Sequence, residues 1–204
     1  MKTSNYGWHS ADPTISVDYC ARAISRHLTR LKCKTVLDIG CGNGAMTRLL
    51  QASGFQMTGI EPDRKGFDIA SESVRDAKFY NLGVYDDTSV LGKFDAVIAS
   101  EVIEHLYDPS ALLSVASRHL NEGGYLILTC PHHGYLKNLL ISLTNKWDPH
   151  FHPATLGGHV KFWSHATMRA FLETHGFHVE ILSGAGRCWP IWKSMVVVAM
   201  KRAI

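Results

Sequence analysis

From about residue 35 onward, short apolar runs alternate with longer segments in which apolar residues return every three or four positions. The short runs Thr35–Ile39, Gln56–Ile60, Lys78–Leu82, Ala96–Ala99 and Tyr125–Thr129 predict strands. The segments between them, Ala45–Ala52, Arg64–Ala77 and Ser110–Leu120, predict helices. Such alternation means parallel strands joined by crossover helices. The run at Ala96–Ala99 is apolar without interruption, as a strand covered on both faces requires. Upstream, Ala11–Lys32 spaces Ile24, Leu28 and Leu31 for one buried helical face. Downstream, a helix at Ala166–His175 precedes strands at Val179–Leu182 and Lys193–Met200, with only the loop Ser183–Trp192 between these two. A loop that short cannot carry a parallel crossover, so the final pair is antiparallel. The pattern predicts an α/β fold, a doubly wound seven-stranded mixed sheet with an antiparallel final hairpin.

Size and charge narrow the function classes. The 204 residues suit one well-buried domain and are too few for two comfortable ones. Net charge is 21 − 18 = +3, and the basic residues are scattered, so no nucleic-acid footprint is evident. The five cysteines are odd in number and form no C-x-x-C pair, and Met1–Ser4 opens no leader. They read as reduced thiols of a cytoplasmic protein. No apolar run reaches the roughly 18 residues that a membrane span needs. Leu139–Leu143, flanked by Lys137 and Lys146, reads as a lid over an active site or as an interfacial helix.

Chemistry concentrates where the first strand ends. In Val36-Leu37-Asp38-Ile39-Gly40-Cys41-Gly42-Asn43-Gly44, three glycines spaced by single residues precede a helix. A Cβ at Gly40 or Gly42 is expected to occupy ligand space, and the helix points free N–H groups at the same spot. The second strand closes on Glu61, placed to accept hydrogen bonds from a ribose diol. Together these features indicate a nucleoside cofactor. Asp38 favours S-adenosylmethionine over NAD, because a carboxylate there suits an ammonium group and repels a pyrophosphate.

Further matches follow in order: Gly59-Ile60-Glu61-Pro62-Asp63, Phe94-Asp95, Glu101-Val102-Ile103-Glu104-His105 and Leu120-Asn121-Glu122-Gly123-Gly124-Tyr125-Leu126-Ile127-Leu128. With the glycine run, they make the chain resemble the class I S-adenosylmethionine-dependent methyltransferases, in the branch that includes the ubiquinone-biosynthesis O-methyltransferases. The resemblance implies a Rossmann-like sheet and S-adenosyl-L-methionine as cofactor, with S-adenosyl-L-homocysteine as product. It implies that Asp38, Gly40 and Gly42 hold the methionine end, with Cys41 and Gly44 in the same turn. Glu61 would hold the ribose, and Pro62 and Asp63 would border the adenine. Val84, in Leu82–Asp86, would close over the base, and Ser100 and Glu101 would stand at the fourth strand's exit. Where the family has Lys-Pro, this chain has Asn121-Glu122, in a surface turn.

Beyond the fifth strand the resemblance weakens and the acceptor question begins. Eight of the twelve histidines fall between His132 and His178. A histidine near its ordinary pKa of about 6.5 can take a proton from a hydroxyl nucleophile. His105 and His133 are the candidate bases, with His132 beside them. Residues 132–163 form an inserted lid, and 1–34 a helical N-terminal segment. His132, Tyr135, His150, His152, His159, Lys161, Phe162 and Trp163 are the candidate acceptor contacts. A metal held by His150, His152, a further histidine and Asp148 is the rival account. The irregular spacings lead us to expect no metal. The expected partner is a small or lipid- or glycan-linked acceptor methylated on oxygen, with peripheral membrane contact through the lid. An NAD-dependent oxidoreductase is disfavoured by the lack of Tyr-x-x-x-Lys. A non-catalytic cofactor-binding subunit is the remaining alternative.

Overall fold

A computed structural model describes residues 7–148 and 158–202. Seven strands form one mixed sheet in the order β3-β2-β1-β4-β5-β7-β6. Strands β1 (Thr35–Ile39), β2 (Gln56–Ile60), β3 (Lys78–Tyr80), β4 (Phe94–Ser100) and β5 (Leu120–Pro131) run parallel. Between β5 and β6 (Phe177–Ala185) lies β7 (Ser194–Lys201), antiparallel to both. The sheet therefore has the topology and the antiparallel final hairpin that the sequence predicts.

Alternating side chains along the central strands divide the core into two layers. Val36, Ala96, Ile98, Ile127, Val196 and Val198 face α1 (Ile15–Arg30) and α2 (Ala45–Ala52), meeting Ile24, Leu28, Met46 and Leu50. Leu37, Ile39, Val97, Ala99, Leu126 and Leu128 face the other way, against α4 (Ser110–His119) and α6 (His165–Thr174). Burying one such aliphatic side chain stabilises by roughly 1.5–3 kcal/mol, so both helical layers are anchored by the strand alternation. The sheet order reverses between β1 and β4, which opens a crevice at their carboxyl ends.

Several boundaries differ from the sequence expectation for physical reasons. The first helix begins at Ile15, not Ala11, because the Ser10 and Asp12 carbonyls are held by Asn43 of the glycine turn instead, and Thr14 is extended. Helix α3 (Arg64–Ser73) stops before Val74, whose backbone is extended, rather than reaching Ala77. Strand β3 is an edge strand that pairs with β2 alone and ends at Tyr80; the Asn81 side chain then bonds the Glu61 and Pro62 carbonyls. Strand β5 starts early, at Leu120, opposite Phe94 across a register shift. Helix α5 (Tyr135–Leu143) extends the apolar run Leu139–Leu143 by one turn toward β5.

Candidate functional site

A cavity of about 900 Å³ occupies the crevice. Asp38, Gly40, Cys41, Gly42, Glu61, Pro62, Val84, Ser100, Glu101, His105 and His159 line it, so most of the sequence-predicted cofactor residues converge on one space. Two carboxylates stand at its β1–β2 end. Asp38 is buried and accepts a hydrogen bond from Thr47 Oγ1 at 2.7 Å. Burial pushes its pKa up to about 6, with the Thr47 bond opposing. Glu61 accepts from the Gly42 N–H at 2.8 Å and the Asp63 N–H at 2.9 Å. Its burial outweighs those bonds and pushes its pKa up to about 7. Each oxygen of Glu61 keeps a lone pair for a further donor, as a ribose diol requires.

The glycine turn works differently from the sequence expectation. Gly40 N and Cys41 N donate to the Ile60 carbonyl, Gly42 N to Glu61, Gly44 N to the Cys41 carbonyl, and Ala45 N to Asn43 Oδ1. These donors are consumed internally and cannot cradle a pyrophosphate. The glycines also make room for protein rather than ligand. A Cβ at Gly40 would lie 2.7 Å from Val102, and one at Gly42 would collide with the Trp8 indole. At Gly44 it would meet the backbone of Ala70 at 3.0 Å, so Gly44 packs α2 on α3 and does not line the cavity. Asp63 likewise serves the fold, capping α3 through the Gly66 N–H at 2.8 Å.

At the other end of the cavity, Glu101 follows β4 with φ of +55°, a left-handed backbone unusual for a residue with a side chain. Its N–H donates to the Thr129 carbonyl at 3.0 Å, and its carboxylate accepts from Thr129 Oγ1 at 2.9 Å. A 3-10 turn, Ile103–His105, then brings Glu104 and His105 inward. The Glu104 carbonyl accepts from Val160 N at 2.9 Å and Lys161 N at 3.0 Å, which clamps the end of the lid segment onto this turn. As a result the His105 and His159 rings lie 4.9 Å apart. Glu104 is buried, and neither carboxylate oxygen has a hydrogen-bond partner among the described residues. Burial first, and the Glu101 charge second, push its pKa well up. One donor atom from each of Glu104, His105 and His159 falls within 4.8 Å of the others. A sequence reading built on His150, His152 and Asp148 overlooked this set, which needed the fold to unite positions 104 and 159.

The remaining lid residues divide. His133 stacks edge-on against Phe162 at 5.0 Å and lies outside the cavity wall, so its candidacy as a base loses its geometric support. His132 is buried between His165 and Trp192, and burial lowers its pKa to about 4. Trp163 belongs to the hydrophobic core beside Phe171 and does not form a wall of the cavity. Tyr135 and Phe162 are exposed, and Lys161 lies over the ring of Tyr107 at the cavity rim. His150 and His152 fall outside the described residues. Two contributors escaped the sequence reading. Lys137 of α5 is half-buried and feels the Glu101 carboxylate, and Trp8 roofs the glycine turn. Neither sits in a recognisable motif.

Fold and site together define a doubly wound protein that binds a nucleoside carrying a cationic amino-acid moiety. The sequence pattern of the methyltransferase domain family matches residues 14–181, and the chain belongs to that family, whose methyl donor is S-adenosylmethionine. It is 29% identical over 176 residues to the ubiquinone biosynthesis O-methyltransferase of Azorhizobium caulinodans, covering 78% of this chain and 65% of that protein. To the human mitochondrial protein of the same name it is 29% identical over 159 residues, covering 73% of this chain and 42% of that one. The fold is similar to magnesium protoporphyrin IX methyltransferase from Synechocystis PCC 6803, solved with bound S-adenosylhomocysteine. That likeness has a TM-score of 0.68 at 18% identity, over 89% of this chain and 82% of the other.

Proposed function

We propose that this protein transfers the methyl group of S-adenosylmethionine to a hydroxyl of a small phenolic or lipid-linked acceptor. The observation that carries this reading is the polarity of the cavity: Asp38 and Glu61 at one end, His105 and His159 at the other. The donor's ammonium and ribose suit the two carboxylates, which directs the sulfonium methyl toward the histidine end. Transfer is an in-line displacement, so the chain's work is to align donor and acceptor, exclude water and remove the hydroxyl proton. His105 Nδ1 lies 3.3 Å from the Gly158 carbonyl. With donation there, Nε2, which lies 3.9 Å from Glu104 Oε1, is the ring atom that would take the acceptor's proton, and the carboxylate would stabilise the imidazolium formed. The names of the matched relatives support oxygen as the target atom. Incubation with labelled S-adenosylmethionine and a panel of catechols, simple phenols and amines tests this. Label should enter the phenols; labelled amines with unlabelled phenols would sink the oxygen assignment.

A second reading is favoured by the Glu104–His105–His159 set. Two imidazoles and a buried carboxylate suit a divalent transition ion. Held there, such an ion would lower the pKa of an acceptor hydroxyl without a protein base. This departs from the expectation that no metal is used. Exhaustive dialysis against a chelator separates the two accounts. A protein base alone predicts unchanged turnover, and the ion predicts loss with recovery on adding manganese or zinc. The exposed Tyr135, Leu139, Leu140 and Leu143 of α5 further support contact with a lipid surface or a lipid tail. Failure to co-sediment with vesicles of mixed anionic and neutral lipid would count against that surface contact.

A further inference from the structure

Hydroxyl groups from α1, β4, β5 and β7 converge on the Glu101 carboxylate. Thr129 Oγ1 of β5 donates to Glu101 Oε1 at 2.9 Å, and the Ser194 hydroxyl at the start of β7 donates to the same carboxylate. Each hydroxyl has one proton to give, so both oxygens are left as acceptors. Thr129 Oγ1 accordingly accepts from Ser100 Oγ of β4 at 2.9 Å, and Ser194 Oγ from the Tyr19 hydroxyl of α1 at 3.2 Å. Every proton in both chains therefore points toward Glu101. Thr129 and Ser194 are buried, and Tyr19 and Ser100 are half-buried. Burial pushes the Tyr19 pKa up to about 12, so its hydroxyl stays a donor. The Lys137 charge opposes the effect of burial on the Glu101 carboxyl. Buried hydroxyls are costly unless bonded, and these are spent on a single acid that lines the cavity.

We infer that Glu101 binds the methyl acceptor through a hydrogen bond, and that Tyr19 is the residue that positions it. On the reading of the β4 end as the acceptor site, His105 takes the proton of the reacting hydroxyl, so Glu101 meets a second polar hydrogen of the same acceptor. A carboxylate offers about four lone-pair sites, and the Thr129 and Ser194 donors leave the others for that hydrogen. The left-handed backbone at Glu101 sets the direction of the side chain, and the two hydroxyl chains hold its carboxylate in place. Tyr19 does not line the cavity and acts only through Ser194. Without the Tyr19 donor the Ser194 proton can turn elsewhere, and the hold on Glu101 slackens.

Label transfer from S-adenosylmethionine to catechol and to phenol tests both assignments, because catechol has the second donor and phenol lacks it. The readout is the ratio of kcat/KM for the two compounds. The wild type should prefer catechol. Glu101→Ala should lower that preference about tenfold or more, the usual worth of a hydrogen bond to a charged group. Tyr19→Phe should lower it about 3- to 10-fold, with S-adenosylhomocysteine affinity unchanged in calorimetry. Ser194→Ala should lower it at least as much, and adding Tyr19→Phe to it should cost nothing more, since the two act in one chain. A merely structural Tyr19 would lower the thermal midpoint without moving the ratio. If Tyr19→Phe fails to fold by circular dichroism, Ser194→Ala still decides. An unchanged preference in the Tyr19 and Ser194 variants would overturn the positioning role. No preference in the wild type, or the same preference in Glu101→Ala, would overturn the acceptor contact while leaving the methyl-transfer reading intact. A wild type that methylates neither compound would overturn the phenolic reading and this inference with it.

Discussion

The two ends of the cavity are built on different physical plans. The β1–β2 end is closed on itself: its turn donors are spent on backbone and side-chain partners, and its carboxylates sit among short, defined hydrogen bonds. The β4 end is left open. Neither Glu104 oxygen accepts a hydrogen bond among the described residues, Oε1 lies 3.9 Å from His105 Nε2, and the neighbours come from a turn and from the far end of the lid segment. A pre-paired end suits a ligand common to a whole family. An end with groups still to be satisfied suits the substrate and the chemical step.

That contrast is easiest to break through His105. His105→Ala should lower turnover by about 10²–10⁴, in the range expected for loss of a proton acceptor, with S-adenosylhomocysteine affinity nearly unchanged in calorimetry. Comparable losses in both measurements would show that the two ends are not separate. Glu61→Ala should do the reverse, weakening cofactor binding by about 1.5–3 kcal/mol, as removal of a charged hydrogen-bond partner does. Saturating cofactor should then restore most of the turnover.

Acidity sharpens the comparison further. The folded pKa values of Asp38 and Glu61 stand above their ordinary values, at about 6 and about 7. A raised folded pKa stabilises the protein below the unfolded value, and that contribution fades as pH rises through the folded one. From about pH 4 to pH 7 the free protein therefore loses stability from these two groups. Cofactor affinity gains over the same range, because ionised carboxylates attract an ammonium and accept from a diol more strongly than neutral acids do. Binding should be about tenfold or more weaker at pH 5 than at pH 7.5. A flat affinity profile would show that neither carboxylate faces the ligand. The smallest effect belongs to His133→Ala, which should change turnover less than about threefold because the ring packs on Phe162 away from the cavity. A loss as large as that of His105→Ala would restore His133 as the base.

Legibility in the sequence followed how local each cause is. Strands β1 and β2 fall on their expected residues because each is a buried apolar run ending at a turn. The antiparallel hairpin was readable from one loop length. The glycines were readable as necessary, yet the reason for them was not: what fills their missing Cβ space is Val102 and Trp8, distant in sequence. The pairing of Glu104 with His159 is likewise a product of the carbonyl clamp at Glu104. Trp163 looked like a pocket aromatic and is core, since composition cannot tell which face of a loop turns inward. Histidine density marked a segment of which the structure brings His159 to the cavity and leaves His132 and His133 outside its wall.

Glu101 carries a different consequence. A side-chain-bearing residue held at φ of +55° costs about 1–3 kcal/mol, and its half-buried carboxyl, with a pKa raised by desolvation, adds to that burden. Glycine would sit there without strain. Glu101→Gly should therefore raise the thermal midpoint while lowering turnover, and a lowered midpoint would show the residue to be structural. At this one position, selection for a durable fold and selection for a working enzyme ask for different amino acids.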